Sequence, residues 1–375
     1  MTFHVPSNSS TLTLQVTKLS SPVGGKEESV GECWVNISKF QTDETKTFYA
    51  HLWNSEIQPQ PTSKRMELEL CITKKAIQRA CPIKKRLLFK YGDDIRQEHF
   101  CLSIFQRMVA ILRANGLDLS LRTFQCILPP CRDRQSSSAG LIEWVDECVP
   151  MSNLVSGLDG TSTAIDLVSV LTRNYWYYTR NESKNPIMSL FRDSNYDPDE
   201  PYFVSKTVMD NYSKSCAGYC MLTYLLGVGD RHRDNLLIHP DGYFFHCDFS
   251  FLFGRDPKTY IPMRITEEMV LAMGGKDSDY FSKFLSWIGA AFLTFRRPAN
   301  VRMLLNSILL VKDANLPDVS VHRTAEEALA GVKARLKLEL SEDNALAYIE
   351  SLVEECMSNK MWIAVDTLHS IGKRL

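Results

Sequence analysis

Residues 227–258 read GVGDRHRDNLLIHPDGYFFHCDFSFLFGRDPK, and they are the most informative segment of the sequence. It contains two polar blocks, residues 230–235 (DRHRDN) and residues 248–250 (DFS). Between them, two β-prone apolar runs flank an Asp-Gly pair, which is a strong short-range signal for a β-hairpin. A hairpin here would place the two polar blocks side by side at its open end.

The spacing of the polar residues suits phosphoryl transfer to a hydroxyl group. That reaction needs a carboxylate near the hydroxyl, together with carboxylate and amide oxygens on a divalent cation. Asp230 precedes Asn235 by five positions and Asp248 follows, which is the arrangement that protein kinases use. The triplet here is Asp-Arg-His instead of His-Arg-Asp, and this order points away from ordinary protein kinases.

The same stretch closely resembles the catalytic and activation loops of phosphatidylinositol 3-kinases, and most closely those of the class III enzymes of vacuolar and endosomal sorting. The resemblance continues in residues 214–220 (KSCAGYC), 273–275 (MGG) and 313–318 (DANLPD), and it covers roughly residues 50–375. It implies an α+β, two-lobed, protein-kinase-like fold of the PI3/PI4-kinase type, with a β-rich N-lobe and a mainly helical C-lobe.

On the basis of the resemblance, the chain is expected to divide into three parts. Residues 1–48 form an N-terminal segment of uncertain order, which fits either a small β segment or a poorly ordered leader. Residues 49–149 form the N-lobe with its hinge, and residues 150–375 form the C-lobe with the catalytic loop, the activation loop and a C-terminal amphipathic helix. Class III enzymes carry membrane-binding and helical domains before the kinase domain, so the chain is expected to be either a fragment or a minimal enzyme.

Periodicity and turn residues predict the elements within these parts. The predicted strands lie at residues 66–72, 86–90, 121–128 and 141–145. The predicted helices lie at residues 96–114, 164–178, 208–226, 281–295, 301–311, 325–338 and 359–375, and Ser341 is expected to cap a further helix.

Composition limits the location and the partners of the chain. The net charge of −1 over 375 residues gives no electrostatic footprint for nucleic acid, so any membrane contact has to be local. Eleven cysteines without a CxxC pair favour a reducing compartment, with Cys216 and Cys220 as buried thiols. The sequence lacks both an 18-residue apolar run and a basic-then-apolar signal pattern, which predicts a cytosolic protein.

The resemblance implies catalytic roles for five residues. Asn235 and Asp248 would hold Mg²⁺ or Mn²⁺. Asp230 or His232 would accept the proton of the lipid hydroxyl, and the sequence leaves both open. His246 would stabilise the charge of the transition state.

Three residues are expected to contact the phosphates of ATP or to support that contact. Residues 52–59 (LWNSEIQP) resemble the phosphate-covering loop of the lipid kinases, in which Ser55 would contribute a hydroxyl, although the loop has no glycine. Lys90 occupies the position of the phosphate-binding lysine, with the alternative that it is merely an exposed strand end. Glu98 stands where the family usually has Asp, and it would pair with Lys90.

A hinge is expected at residues 143–145. Backbone groups of Glu143 and Val145 would bind the adenine edge, and Trp144 would form a wall of the pocket. An amphipathic edge strand would have the same pattern, so the hinge interpretation depends on the neighbouring motifs. Besides Glu98, two residues depart from the family pattern. Phe124 stands where Tyr is common, and Ser250 replaces the usual Gly after Asp-Phe.

Residues 251–266 correspond to the activation loop, which reads the lipid headgroup in this superfamily. Its basic residues Arg255, Lys258 and Arg264 are scattered, whereas extra headgroup phosphates would call for clustered cations. This favours phosphatidylinositol itself as the substrate. The final helix at residues 359–375 would either dock on the core or contact the membrane through Trp362 and its terminal cations.

Together, these features predict a lipid kinase that transfers the γ-phosphate of ATP to the 3-hydroxyl of phosphatidylinositol for endosomal or autophagic trafficking. The implied partners are phosphatidylinositol membranes, a kinase-like regulatory subunit and coiled-coil autophagy or endosomal adaptors, with the enzyme peripheral on those membranes. A kinase-shaped scaffold and a related protein serine/threonine kinase stay open as alternatives. A phosphatidylinositol 4-kinase is disfavoured because that group typically has Asn-Gly where this chain has Arg233-Asp234.

Overall fold

A computed structural model describes most of the chain. It gives the backbone of four N-terminal strands and then residues 86–91, 94–128, 139–156, 185–257, 261–310, 312 and 314–359. Ser55, Lys258 and the predicted helices at residues 164–178 and 359–375 lie outside the described residues, except for Asn359.

The chain divides into two compact units. The small unit consists of Met1–His99 and Phe124–Asp146, and the large unit consists of Phe100–Thr123 and Glu147–Leu375. The described elements of the small unit are mainly strands, and those of the large unit are mainly helices. The predicted α+β class is therefore confirmed, while the predicted domain boundaries stay a prediction.

Three antiparallel sheets occur in the part of the small unit that the structure describes. Strand β1 (Thr11–Leu19) pairs with β2 (Glu27–Asn36), and β3 (Thr45–His51) pairs with β4 (Glu67–Thr73). The third sheet has the order β5-β7-β6, with β5 at Leu87–Tyr91, β6 at Cys126–Ile127 and β7 at Ala139–Glu143. Of the two alternatives for residues 1–48, these strands support the small β segment.

The strand predicted at residues 121–128 is much shorter in the structure. Only Cys126–Ile127 pairs, with Ile142 and Leu141 of β7. Leu121 and Phe124 are buried without being part of a strand. The sequence pattern therefore came from a packed loop, since burial of apolar side chains does not require a ladder of backbone hydrogen bonds.

Helix α1 (Arg96–Ala114) has the predicted bounds. Its apolar stripe, which includes Ile104 and Met108, is buried. Gly116 follows with φ +79°, a left-handed conformation that ends helices and that glycine adopts without steric penalty.

The large unit is built from eight further helices in its described part. They are α2 (Met151–Ser156), α3 (Pro186–Asn195), α4 (Lys206–Leu226), α5 (Glu267–Leu271), α6 (Asp279–Arg296), α7 (Pro298–Leu309), α8 (Ala325–Leu336) and α9 (Glu342–Ser358). The predicted helices at residues 208–226, 281–295, 301–311 and 325–338 are confirmed with shifted ends. The Ser341 side chain accepts the Asn344 N–H at 3.3 Å, as predicted for an N-cap.

Helix α3 was not predicted from the sequence. The Asn185 side chain accepts the N–H groups of Ile187 and Met188, and Pro186 occupies the first turn. Asn followed by Pro is a typical helix start, so this cue was present in the sequence. None of the helices in the described part of the chain is both long and apolar enough to cross a membrane.

Helix α4 leads directly into the DRHRDN block. Most of its residues are buried, and it ends at Gly227, whose φ of 59° lies in the left-handed region. The predicted hairpin is confirmed: β9 (Leu236–Ile238) pairs antiparallel with β10 (Phe244–His246), and β8 (Val149–Pro150) pairs with the other edge of β9. Gly242, with φ 84°, closes the turn by donating its N–H to the His239 carbonyl at 2.9 Å.

Candidate active site

The hairpin brings the two polar blocks together at its open end. His246 lies opposite Leu236 in the hairpin. One residue further toward the open end, the Cys247 N–H donates to the Asn235 carbonyl at 3.1 Å. The Asn235 side chain donates to the Asp230 carbonyl at 2.9 Å. Asn235 therefore contacts both the first residue of the DRHRDN block and the residue that precedes Asp248.

Arg231 joins the two blocks from inside the protein. Its side chain is buried, and it donates from Nε to the Gly229 carbonyl and from Nη1 to the Cys247 carbonyl, both at 2.7 Å. Its Nη2 donates to the Asp248 carbonyl. Burial lowers the pKa of Arg231, and the negative charge of Asp248 is the largest opposing influence. One guanidinium thus fixes the backbone on both sides of the site, a role that the sequence analysis missed.

The two candidate bases lie next to each other. His232 Nε2 is 3.7 Å from Asp230 Oδ2, and His232 Nδ1 is 3.7 Å from Asp234 Oδ2. The imidazole therefore lies between two carboxylates. The Asp230 N–H donates to Asp256 Oδ2 at 2.8 Å, which fixes the peptide at the start of the block.

Two further side chains secure the middle of the block. Asp234 accepts a hydrogen bond from the Ser152 hydroxyl, and Arg233 forms an ion pair with Glu268 of α5. Glu268 is buried, so its charge depends on this partner. The sequence offered no cue for either contact, because the partners come from distant parts of the chain.

Asp248 is oriented by the residue that departs from the family pattern. Ser250 donates to Asp248 Oδ1 from its hydroxyl at 2.6 Å and from its N–H at 3.3 Å. Between them, Phe249 is fully buried and meets the Phe105 ring edge-on, with centroids 5.1 Å apart. The added hydroxyl therefore holds the carboxylate instead of obstructing it.

The donors at the open end fit a hard divalent cation. Asp248 offers a carboxylate, and Asn235 directs its amide nitrogen to Asp230, which leaves the amide oxygen as the metal donor. No group of three or more His, Cys, Asp or Glu side chains is arranged for a metal within the described residues. Mg²⁺ commonly uses one or two protein carboxylates and completes its shell with phosphate oxygens and water, so two protein donors agree with this chemistry.

His246 does not join the other predicted catalytic side chains at an accessible surface. It is fully buried and stacks on the Tyr219 ring, with centroids 5.4 Å apart, while Phe244 meets it edge-on at 5.1 Å. Burial, and then the charges of Arg231 and Arg264, lower the pKa of His246 well below its usual value. The side chain is therefore a neutral imidazole packed within the hydrophobic core.

The predicted substrate-loop cations also have internal partners. Arg264 is only 2% exposed. The Arg255 Nη1 lies 2.8 Å from Asp318 Oδ1. These positions suit contacts within the protein, and Lys258 lies outside the described residues.

The small unit carries the predicted ATP-binding residues that the structure describes. Lys90 lies in β5 opposite Gly140, and Glu98 lies in the first turn of α1. Both act on the Cys126 thiol: burial raises its pKa, the Glu98 charge raises it further and the Lys90 charge opposes this. Lys90 and Glu98 therefore both lie near enough to Cys126 for their charges to act on its thiol.

The predicted hinge follows the end of β7. The Glu143 N–H donates to the Gln125 carbonyl at 2.7 Å, and the Trp144 N–H donates to the Arg86 carbonyl at 3.0 Å. Both amides are thus used by neighbouring segments of the unit. Val145 comes directly after them, outside any strand.

Comparison with known proteins agrees with this arrangement. The family model described as phosphatidylinositol 3- and 4-kinase matches residues 84–321. The phosphatidylinositol 3-kinase pik3 of Schizosaccharomyces pombe is 33% identical over 296 residues, which cover 77% of this chain and 32% of that protein. The phosphatidylinositol 3-kinase VPS34 of Saccharomyces cerevisiae is 33% identical over 290 residues, covering 76% and 29% respectively.

A plant relative gives a similar result. The root isoform of phosphatidylinositol 3-kinase from Glycine max is 30% identical over 285 residues, covering 76% of this chain and 30% of that protein. The chain thus spans about a third of the length of the curated relatives that it matches. The matched region contains the joined DRHRDN and DFS blocks, and the family predicted from the sequence is confirmed: the chain belongs to the phosphatidylinositol 3- and 4-kinase family.

Proposed function

We propose that the chain is the catalytic part of a phosphatidylinositol 3-kinase, which transfers the γ-phosphoryl group of ATP to the 3-hydroxyl of phosphatidylinositol. The observation that carries this proposal is the joining of the Asp230–Asn235 block to Asp248 through one buried arginine. Phosphoryl transfer depends mainly on positioning and on electrostatic stabilisation. A rigid connection between these two segments supplies the positioning.

Asn235 and Asp248 would hold Mg²⁺ or Mn²⁺ through their side-chain oxygens. When bound, such an ion supplies positive charge against the phosphate oxygens. The protein's own contribution is orientation: the Asn235 amide is fixed by the Asp230 carbonyl, and the Asp248 carboxylate is fixed by Ser250.

Asp230 and His232 are proposed as the pair that receives the hydroxyl proton. His232 Nε2 lies 3.7 Å from Asp230 Oδ2, so the two candidate bases are close enough to act on the same hydroxyl. Replacement of His232 by Ala should lower kcat at neutral pH by about a hundredfold or more, as expected for a general base. Unchanged activity of this variant would assign the proton to Asp230 alone.

Lys90 and Glu98 are proposed to bind and support the ATP phosphates, together with Ser55. Glu143, Trp144 and Val145 are proposed to form the adenine-binding hinge. The positions of Lys90 and Glu98 around one thiol support the first assignment. His246 is proposed to contribute through the packing beneath the site, since its ring is buried against Tyr219.

The proposed lipid is phosphatidylinositol, because the described part of residues 251–266 presents no cluster of basic side chains. By similarity to proteins named phosphatidylinositol 3-kinase VPS34, we further propose action at endosomal or autophagic membranes. A kinase-like regulatory subunit and coiled-coil adaptors are the proposed partners there.

The test is transfer of labelled phosphate from ATP to phosphatidylinositol vesicles with Mn²⁺, followed by chromatographic assignment of the labelled position. The Asp248→Ala protein should make no product, whereas the matched control Asp277→Ala, which changes an exposed aspartate, should keep wild-type activity. A 4-phosphate product would refute the 3-kinase assignment. Labelling of protein serine without lipid product would favour a protein kinase, and no transfer by folded, ATP-binding protein would favour a scaffold.

A further inference from the structure

The segment that follows Asp248 runs along the start of the catalytic loop. The Phe253 N–H donates to the Leu226 carbonyl, and the Gly254 N–H donates to the Gly227 carbonyl, both at 2.7 Å. The Gly229 N–H donates to the Phe251 carbonyl at 3.0 Å. These backbone bonds tie the beginning of the activation loop to the residues that deliver Asp230.

A buried carboxylate holds the same segment from another part of the chain. Asp318 is fully buried in the turn Pro317–Val321. Its Oδ2 accepts the Leu252 N–H at 2.8 Å, and its Oδ1 accepts the Arg255 Nη1 at 2.8 Å. A buried carboxylate requires such partners, because an unpaired one is strongly unfavourable. Asp318 therefore fixes both the backbone and the side chain of this segment.

Two arginines complete the attachment. Arg323 donates from Nη1 to the Phe253 carbonyl at 2.7 Å. The Arg335 guanidinium packs so closely against Gly227 and Gly254 that a Cβ added at either glycine would overlap it. Residues 318–335 thus provide three charged side chains that contact residues 252–255, and one of them, Arg335, also lies against Gly227 at the start of the catalytic loop.

We propose that Asp318, Arg323 and Arg335 form a polar clamp that positions the activation loop relative to the catalytic loop, with Asp318 as its central positioning residue. In this arrangement Arg255 serves as the partner of Asp318, and it does not read the lipid headgroup. The kinetic part of the proposal rests on the proposed lipid kinase function. The structural part does not, because it concerns backbone protection in residues 252–254.

Asp318→Asn is the informative substitution. Asn keeps the size of the side chain and an oxygen for the Leu252 N–H, but it removes the charge that holds Arg255. The Arg255 side chain is 29% exposed, so it can turn to water when it loses its partner. Replacement of the other partner, Arg255→Gln, leaves the buried Asp318 carboxylate without its cation. This change should lower the stability of the protein more than Asp318→Asn does.

The first measurement is amide hydrogen exchange in peptides that cover residues 248–257. The amides of Leu252, Phe253 and Gly254 should exchange at least about tenfold faster in Asp318→Asn, since the neutral side chain no longer holds Arg255 and binds the Leu252 N–H more weakly. Peptides from α6 should be unchanged, and so should the control Asp343→Asn, which alters an exposed residue of α9. Equal protection of residues 252–254 in wild type and Asp318→Asn would overturn the clamp, whatever the activity of the enzyme.

The second measurement separates kcat from KM. In Asp318→Asn, kcat for phosphatidylinositol should fall by about ten- to a hundredfold, as expected for misplacement of a loop near the reacting groups, while the KM for ATP stays the same. Adding Arg255→Gln to Asp318→Asn should have little further effect. A further rise in the KM for lipid vesicles in the double variant would show that Arg255 contacts the headgroup and would refute its role as the partner of Asp318.

Discussion

Replacement of Arg231 by Lys tests whether the joining of the DRHRDN and DFS blocks depends on the shape of the guanidinium. Lys keeps the positive charge, but a single ammonium group cannot reproduce a planar fork that reaches the carbonyls of Gly229, Cys247 and Asp248. If Lys bonds one carbonyl, two are left unsatisfied, and the bonds to Cys247 and Asp248 lie in a partly buried place. At about 1–3 kcal/mol for each unsatisfied group, the free energy of unfolding should fall by about 2–6 kcal/mol.

This loss is a large fraction of the stability of a typical domain, which is about 5–15 kcal/mol. The assay is urea unfolding of the variant followed by intrinsic fluorescence, with Arg107→Lys on the exposed surface of α1 as the matched control. The control should unfold like the wild type. A midpoint for Arg231→Lys equal to that of the control, together with unchanged transfer activity, would refute the assignment of Arg231 as the structural link.

Three further outcomes follow from the described packing. Gly227→Ala should destabilise the protein by clearly more than Gly116→Ala, as measured by thermal unfolding. An alanine at residue 116 costs about 1 kcal/mol or more because of the positive φ alone. A Cβ at residue 227 would also meet Arg335, whereas a Cβ at residue 116 meets nothing within 4 Å. Because the pKa of His246 is lowered in the folded state, the unfolded chain binds a proton that the folded protein does not. The free energy of unfolding should therefore fall as pH drops below about 6.5, by up to about 1.4 kcal/mol per pH unit. Urea unfolding at several pH values tests this, and an equal pH dependence of stability in wild type and His246→Leu would contradict it. Burial also raises the pKa of the Cys216 thiol, so peptide mapping should find it unmodified by iodoacetamide in the folded protein and modified after denaturation, and rapid labelling without denaturant would disprove its burial.

Local patterns were sufficient for the elements whose signals lie close together in the sequence. Helix α1 was predicted with its observed bounds because its apolar stripe and the Asn-Gly that ends it are contiguous. The hairpin was predicted because its turn residues sit between two short apolar runs. At residues 121–128 the same kind of pattern was misleading, since Leu121 and Phe124 are buried in a segment outside the short strand Cys126–Ile127.

The contacts that shape the candidate site could not be predicted in this way. Asp318 lies 66 residues from Leu252, and nothing in either local sequence indicates that they meet. In the sequence, Arg231 does not differ from the other polar residues of its block. Its burial could not be predicted because it depends on carbonyl groups that the hairpin presents. Likewise, His246 sits among the catalytic motifs in sequence, but strand alternation turns its ring into the core. Such roles depend on tertiary packing, which a motif does not contain.

The backbone at Asp230 and Asp248, the two aspartates proposed to act in catalysis, has a consequence for protein engineering. Asp230 and Asp248 adopt φ angles of 53° and 58°, which glycine adopts more easily than aspartate, and such conformations are often retained where function requires them. Substitution of Asp248 by Gly would relieve this strain while removing the carboxylate. Selection for thermal stability alone would therefore favour substitutions at residues 230 and 248 that abolish activity. In a library screened for both stability and activity, the substitutions that raise stability at these two residues should lower activity.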